Sequence, residues 1–340
     1  MKVLVTLSLF AAFLLCPAAC ADGVREGLSL AAMQALPALF PFFVISGLLV
    51  RCGTGRLSPL LAAPLRRLYG LPPEAAPALV LGLIGGYPVG AATACALYDE
   101  GALSRAAAER IGRFCNCASP GFCIALVGLG VFGSAKTGAA LYSVHIVSAL
   151  LTGMCFERYP LSAEPHSDAK PQSGSFASVF CASVQSAAST ALTVTAFLTV
   201  FSIVLRLVSP VFALLPNGNA LDGLVELTNG LDELGTLPVP HAVRLTLASF
   251  LLGFGGLAVQ FQVRALAEAH ELPIRGLFTA KLLHGALAAA LTAVLFRASP
   301  AVLTAAAPAL APAPVRFRCT LAVLLVSALY PIWGWKKRGK

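Results

Sequence analysis

The chain has 340 residues, 58% of them hydrophobic and 11% charged, and a formal net charge of +9. Its mean hydropathy is +0.83. A soluble domain has roughly 45–50% apolar and about 25% charged residues, so this composition excludes a soluble enzyme and a disordered chain and predicts a protein in a lipid bilayer. The basic residues lie between apolar stretches and are interpreted as topology signals, so nucleic acid is not a predicted partner.

The N-terminal region, residues 1–27, contains an apolar run. Lys2 precedes it, and small residues lead up to Cys20, as in a secretory signal or a lipobox. Pro17 does not suit a lipobox. We interpret residues 3–19 as a first spanning helix, and a cleaved signal is the alternative.

A spanning helix needs roughly 20 mostly apolar residues. Such stretches occur at residues 28–50, 121–131 with its flanks, 137–156, 188–208, 244–263, 277–296 and 319–335. Two more apolar stretches, 76–98 and 220–237, are interrupted by glycine and proline or by polar residues. Broken backbone at membrane depth is tolerated only where protein or a water-filled cavity satisfies it, so both stretches are predicted to be re-entrant helical hairpins.

The basic residues predict the orientation of these helices. If Lys2 is cytoplasmic and each hairpin returns to the side it entered from, sixteen of the 24 lysines and arginines are cytoplasmic and seven are external. The positive-inside rule favours this topology, which puts both termini in the cytoplasm.

The predicted helices form two repeats of opposite orientation. Repeat 1 (residues 28–156) and repeat 2 (residues 178–297) each contain a spanning helix, a hairpin and two further spanning helices. A polar cytoplasmic linker, residues 157–177, joins them, and residues 298–340 hold a linker, the last spanning helix and a basic tail. The predicted fold class is an all-α polytopic membrane protein. Inverted repeats with broken helices at corresponding positions are typical of secondary transporters with a site near the midplane.

The candidate site residues of repeat 1 lie at the tip of its hairpin and just after it. Broken helices expose backbone N–H and C=O groups that suit anions and cations respectively. The glycines allow close approach of a ligand, and Tyr87 offers a ring for stacking. A tight turn and a capped helix start are the alternative, structural interpretations. The candidates are Gly85, Gly86, Tyr87, Pro88, Asn116 and Ser119.

In repeat 2, Glu226 is an ionisable group within an apolar segment, so a role in binding a substrate or a coupling ion is the default hypothesis. An exposed external loop is the alternative. Thr228, Asn229 and Gly230 beside it, and Gln260 further on, are candidate substrate contacts, although interhelical hydrogen bonding also explains Gln260.

Other chemistry is poorly supported by the sequence. No hydrolase, kinase or nucleotide-binding motif occurs, so the chain is not predicted to be an enzyme. Cys115 and Cys117 lack a second ligand pair at zinc-like spacing, so no metal is predicted. The expected cofactor requirement is none, apart from a coupling proton or sodium ion. His145 and His284 occupy matching positions of the two repeats, as packing residues or as proton relays.

Several stretches resemble the YlbJ-type sporulation integral membrane proteins, whose nucleoside-recognition or Gate domain is related to concentrative nucleoside transporters. The resemblance extends over most of the chain, from about residue 16 to residue 296. It rests on residues 36–46, with Leu-Phe-Pro-Phe-Phe, residues 86–90, which read Gly-Tyr-Pro-Val-Gly, and residues 97–101, 116–122 and 226–230. The family implies two re-entrant hairpins, a link to endospore formation, and movement of dipicolinic acid across the membrane around the forespore.

Together these observations predict a secondary transporter or facilitator of a small polar or anionic organic solute in the cell membrane, by resemblance dipicolinic acid. A transporter of nucleoside-type solutes and a non-transporting gating or scaffold subunit are the alternatives. The predicted partners are the lipid bilayer, a small-molecule solute and, as an open option, further copies of the chain.

Overall fold

The computed structural model describes residues 2–52, 59–156 and 175–298. Within these residues the chain forms helices joined by turns, with no β-strand. Helical runs long and apolar enough to cross a membrane are Pro17–Arg51, Ala135–Cys155, Phe176–Phe212, His241–Ala269 and Leu277–Arg297. These runs confirm an all-α polytopic membrane protein. Most of the predicted linker, and the predicted last spanning helix at 319–335, lie outside the described residues.

The N-terminal part contains a short helix and then a long one. Helix α1 is Lys2–Leu15 and α2 is Pro17–Leu30, with Pro17 in the first turn, where its missing N–H costs nothing. A π-helical turn, Ala31–Ala35, leads directly into α3, Leu36–Arg51. The predicted boundary at residue 27 therefore falls inside a continuous helical run, Pro17–Arg51, which we call the first long helix.

The second long helix, α9 (Phe176–Phe212), packs closely against the first. Gly23 and Gly27 of α2 lie at the contact, where a Cβ atom on Gly23 would come within 2.6 Å of the Ile203 Cα. Gly27 likewise faces the backbone of Thr199. Small residues at such a crossing let two membrane helices approach backbone to backbone.

The first hairpin follows α4 (Pro59–Tyr69) and a short 3-10 turn. Its arms are α5 (Ala76–Ile84) and α6 (Val89–Asp99), so the helix break falls at residues 85–88. The next helix, α7 (Arg105–Gly112), begins at the side-chain cap of Ser104. The chain then unwinds over residues 113–118 before a π-helical segment, Phe122–Val131.

This unwound segment passes directly against both arms of the first hairpin. A Cβ atom on Gly82 or on Gly90 would collide with the carbonyl oxygen of Cys115. The backbone N–H of Cys117 donates to the carbonyl of Gly82 at 3.1 Å. The two glycines therefore create the space in which residues 115–118 run through the protein interior.

The remaining helices contain a second hairpin and a second break. They are α8 (Ala135–Cys155), α10 (Asp222–Val225), α11 (Leu227–Thr236), α12 (His241–Phe254), α13 (Gly256–Ala269) and α14 (Leu277–Ala298). Gly255 and Gly256 separate α12 from α13 with φ values of 80° and 71°, a left-handed conformation that L side chains rarely adopt. The predicted spanning segment 244–263 is thus two helices joined at a glycine break.

Two pairs of glycines hold helices together at matching places of the predicted repeats. Gly128 of the π-helical segment meets Gly138 of α8, and Gly253 of α12 meets Gly285 of α14; in each pair, an added Cβ would lie 2.6 Å from the partner's Cα. Both pairs join the third and fourth elements of their predicted repeats.

The close contact at Gly82 yields a stability prediction. We expect Gly82→Ala to lower the free energy of unfolding by about 1–3 kcal/mol, because the new methyl group must displace the Cys115 carbonyl. Gly130→Ala is the matched control, since the nearest atom to its Cβ would be Ala125 O at an ordinary 3.7 Å. Thermal unfolding in detergent measures both variants. Equal stability of the two would show that residues 115–118 do not run through this gap.

Candidate functional site

A cavity of about 330 Å³ lies between the first hairpin, the second hairpin and the two long helices. We call it the central cavity. Aliphatic residues form most of its wall, including Leu39, Leu198 and Val259. Its polar lining residues are Gln34, Tyr87, Ser119, Glu226, Thr228 and Gln262. A mainly apolar pocket of this size with a few convergent polar groups is typical of a site for a small organic molecule.

The structure brings five of the sequence-predicted site residues together in the wall of the central cavity. They are Gly86, Tyr87, Ser119, Glu226 and Thr228. Both predicted hairpins therefore contribute to one cavity. The other six predicted site residues do not line it: Gly85, Pro88, Asn116, Asn229, Gly230 and Gln260.

Both ends of the Asn116 side-chain amide form bonds that hold the unwound segment. Its Oδ1 accepts from the backbone N–H of Ala91 at 2.8 Å, and its Nδ2 donates to the carbonyl of Gly112 at 2.7 Å. The backbone carbonyl of Asn116 accepts from Lys281 Nζ at 3.0 Å. This residue therefore ties α6, α7 and α14 to residues 115–118.

Gln260 and Gly230 also have structural roles at places where the helices are broken. The Nε2 of Gln260 donates at 3.2 Å to the carbonyl of Phe254, the last residue of α12. An unpaired carbonyl at this depth would be costly, so the amide stabilises the glycine break. Gly230 packs against the backbone of Gly223, where any side chain would collide. Gln262, two residues beyond Gln260, lines the cavity instead.

Glu226 is 2% exposed and occupies the break of the second hairpin. Its Oε2 accepts from the backbone N–H of Asn229 at 2.9 Å, so the carboxylate caps the start of α11. A negative charge is favoured at a helix N-terminus. The Asn229 side chain in turn donates to Glu26 at 2.9 Å, and Arg206 donates to the other oxygen of Glu26 at 2.8 Å.

A buried polar cluster lies behind Tyr87. The rings of His145 and His284 stack with centroids 4.6 Å apart. His145 Nε2 accepts from the backbone N–H of Ala118 at 2.9 Å, and His284 Nε2 donates to the carbonyl of His145 at 2.9 Å. These bonds place the ring hydrogen of His145 on Nδ1, so that ring is neutral, and put a ring hydrogen of His284 on Nε2. Lys281 Nζ, itself a donor, lies 3.4 Å from His284 Nδ1, so Nδ1 carries no hydrogen and this ring is neutral as well.

Lys281 completes this cluster. Its Nζ donates to Asn116 O, lies 3.4 Å from His284 Nδ1, and sits 4.9 Å from the centroid of the Tyr87 ring. The Tyr87 hydroxyl donates to the carbonyl of Leu252. The cluster therefore joins the first hairpin, the unwound segment, α8, α12 and α14.

The polar cluster has the elements of a metal site but the wrong charge environment. Ligand atoms of Cys117, His145 and His284 all lie within 4.8 Å of one another. However, the lone pair of His145 Nε2 already accepts a backbone N–H, and the ammonium of Lys281 approaches the lone pair of His284 Nδ1. A second cation there would face strong repulsion in a low-dielectric interior. These residues therefore do not fit a metal ion.

Two further cavities lie at opposite ends of the long helices. The acidic end cavity, about 370 Å³, is lined by Glu26, Leu205, Arg206, Ser209, Pro210, Asp222, Asn229, Asp232 and Glu233. The small end cavity, about 80 Å³, is lined by residues that include Arg51, Asp99 and His270.

The cavities follow one another along both long helices. On the first long helix, Glu26 lines the acidic end cavity, residues 30–39 contribute to the central cavity, and residues 43–51 contribute to the small end cavity. The second long helix contributes to the same three cavities in the reverse order along its sequence. At 1.5 Å rise per residue, residues 26–51 extend over about 37 Å, enough to cross a hydrocarbon core of about 30 Å.

Sequence reasoning did not select Gln34, Gln262 or Lys281 as site residues. Gln34 lies in the apolar part of the first long helix, and a polar residue there is a signal of the same kind as Glu226. Lys281 is a charged residue within an apolar span, and it is 2% exposed. The intramembrane charge was visible in the sequence, but two of its partners, Asn116 and Tyr87, come from other elements that are distant along the chain.

The small end cavity yields a pH prediction. His270 Nδ1 and Asp99 Oδ2 lie 2.6 Å apart, and this bond raises the pKa of His270. Because the folded-state pKa is above the unfolded value, the stabilisation is complete below the unfolded pKa and is lost as the pH rises through the folded pKa. Both side chains are partly exposed, so the effect is about 0.2–1 kcal/mol.

We therefore expect the stability difference between wild type and Asp99→Asn to be largest near pH 6 and to shrink toward about pH 9. Thermal unfolding across this range measures it. Glu268→Gln, which breaks an exposed ion pair with Arg264 on the same helix, is the matched control, because no histidine takes part in that pair. A constant difference for Asp99→Asn would contradict the assignment.

Comparison with known proteins places the chain near one curated protein. It is 27% identical over 320 residues to the sporulation integral membrane protein YlbJ of Bacillus subtilis (strain 168), an alignment that includes 83% of this chain and 78% of that protein. No family model and no solved structure matches the chain. The chain is thus similar to a sporulation integral membrane protein of the YlbJ type, in agreement with the resemblance of its sequence motifs.

Proposed function

We propose that the chain is a secondary transporter or facilitator that moves a small polar or anionic organic solute across a membrane. The single observation that carries the proposal is the series of three cavities along the two long helices. Neither a scaffold nor a simple anchor needs cavities in line across the width of a bilayer. Broken helices at the middle of this line agree with a transporter site.

Different kinds of contact lie between the central cavity and the two end cavities. Toward the small end cavity, buried apolar side chains pack together; they include Leu39, Phe43, Leu81, Val89, Val194 and Leu198. Toward the acidic end cavity, a chain of polar contacts runs from Glu226 through Asn229 to Glu26 and Arg206. In the proposed transporter these two sets of contacts are the separate gates that alternating access requires.

The proposed class of solute is based on the residues that line the central cavity and on the similarity to the sporulation protein. The central cavity offers the Tyr87 ring, a hydroxyl at Ser119 and amides at Gln34 and Gln262, which suit a small planar polar molecule. The relative is named for sporulation, and by resemblance the solute is dipicolinic acid, with a role at the membrane around the forespore. Both termini are cytoplasmic in this proposal.

The inverted repeat is part of the proposal. Each predicted hairpin contains a pair of glycines at a close backbone contact: Gly82 and Gly90 against Cys115, and Gly223 against Gly230. The matched histidines His145 and His284 stack on each other, as residues related by a twofold axis would. These correspondences support a transporter built from two halves of opposite orientation.

The transport assay uses purified full-length protein in proteoliposomes and labelled pyridine-2,6-dicarboxylate. We expect uptake above that of protein-free liposomes, with uridine as a competitor for the nucleoside alternative. Glu226→Gln keeps an oxygen that can cap α11 but removes the charge. If Glu226 binds the coupling ion, the rate of dicarboxylate uptake by Glu226→Gln should be about 5–150-fold lower than that of wild type. This uptake should also no longer depend on pH or sodium.

Glu268→Gln is the matched control for this assay, because Glu268 is exposed on α13 and lines none of the three cavities. Unchanged rate and ion dependence in Glu226→Gln would remove the coupling role. Absence of flux for the dicarboxylate and for uridine in wild-type protein would instead favour the non-transporting subunit.

The orientation of the repeats is tested by cysteines introduced singly at Asp99 and Gly235. The exposed native cysteines among the described residues, Cys16, Cys52, Cys155 and Cys181, are first replaced by serine, together with Cys319. A membrane-impermeant maleimide should label Asp99→Cys only from the cytoplasmic side and Gly235→Cys only from the external side. Labelling of both from one side would contradict the inverted repeat.

A further inference from the structure

The ammonium of Lys281 is a buried positive charge with no negative partner in the part of the chain that is described. Its side chain is 2% exposed, and the described ion pairs all involve other residues. It is held by a backbone carbonyl, a neutral imidazole and an aromatic ring. A charge buried without a counter-charge is costly, and in a membrane protein it usually serves a ligand or ion pathway.

The hydrogen bonds around Lys281 do not by themselves require its charge. The carbonyl of Asn116 needs a donor, and a neutral amide supplies one at the comparable break, where Gln260 donates to Phe254. The surrounding titratable groups are Tyr87, Cys115, Cys117, His145 and His284. None of these is a carboxylate. What remains unexplained by local structure is the positive charge.

Tyr87 connects this charge to the central cavity. Its side chain forms part of the cavity wall, and its ring centroid is 4.9 Å from Lys281 Nζ. An anionic group that contacts the Tyr87 ring from the cavity would lie roughly 8 Å from the ammonium of Lys281. In a low-dielectric interior, the attraction between two charges at this distance raises the affinity for the anion by about tenfold or more. Glu226 in the same wall has the opposite effect on an anion.

We propose that Lys281 is the charge-selectivity residue of the central cavity, and that its ammonium, acting through the Tyr87 ring, lets the cavity bind an aromatic carboxylate despite Glu226. This inference rests on the proposed function for its solute class but not on transport itself. Lys281 does not line the cavity; it acts at a distance, through the electrostatic potential that its charge produces there.

The experiment compares binding of two isosteric probes to full-length protein in detergent by calorimetry. The probes are pyridine-2,6-dicarboxylate, a dianion, and pyridine-2,6-dicarboxamide, which is neutral. Lys281→Gln keeps a hydrogen-bond donor and removes the charge, whereas Lys281→Arg keeps the charge. Lys136→Gln removes an exposed charge at the start of α8 and is the matched control.

We expect Lys281→Gln to weaken dicarboxylate binding by about tenfold or more and to change dicarboxamide binding by less than about twofold. Lys281→Arg should retain the preference for the dianion, and Lys136→Gln should leave both affinities unchanged. If Lys281 had a purely structural role, its replacement would weaken the binding of both probes equally. The ratio of the two affinities therefore distinguishes a structural role from charge selectivity. Thermal unfolding of each variant verifies that it is folded.

Equal loss of both probes in Lys281→Gln would overturn the inference, as would unchanged dianion affinity. Wild-type protein that binds the dicarboxamide as tightly as the dicarboxylate, or binds neither, would also overturn it. Failure of the proposed function is a different result: wild-type protein would then bind the dianion with the expected Lys281 dependence and would show no flux in proteoliposomes.

Discussion

The structure depends on one constraint: the unwound backbone of residues 115–118 runs through the interior of a membrane protein, where water cannot satisfy its polar groups. Each of its bonds comes from a different direction. Gly82 supplies a carbonyl to Cys117, the side chain of Asn116 binds Ala91, His145 accepts from Ala118, and Lys281 donates to Asn116. The segment therefore joins the first hairpin to α8 and α14.

The same constraint explains why glycine and buried polar residues occur together. Gly82 and Gly90 leave the space for the segment, and the histidines and the lysine provide partners for its backbone. The second break, at Gly255 and Gly256, is satisfied more simply, by the amide of Gln260. The two breaks thus differ in charge, because only the unwound segment is bound by an ammonium, that of Lys281.

The breaks also determine where a solute could bind. Helix ends at Gly86 and at Glu226 meet in the central cavity, and Ser119 begins the π-helical segment beside them. A cavity built from helix ends presents polar groups without exposing long polar side chains to lipid. The exposed faces of the long helices are apolar, for example at Leu192 and Val200 of α9, as contact with lipid requires.

The sequence alone determined the class of the protein and the location of the two hairpin breaks, because hydropathy, glycine and proline act locally along the chain. For the same reason it pointed to Tyr87 and Glu226, which line the central cavity. Tertiary structure decided which polar residues face the cavity: Gln262 does and Gln260 does not, because only the latter meets the carbonyl of Phe254. It also decided that Lys281, far from the hairpins in sequence, lies behind Tyr87, since such contacts depend on how distant helices pack.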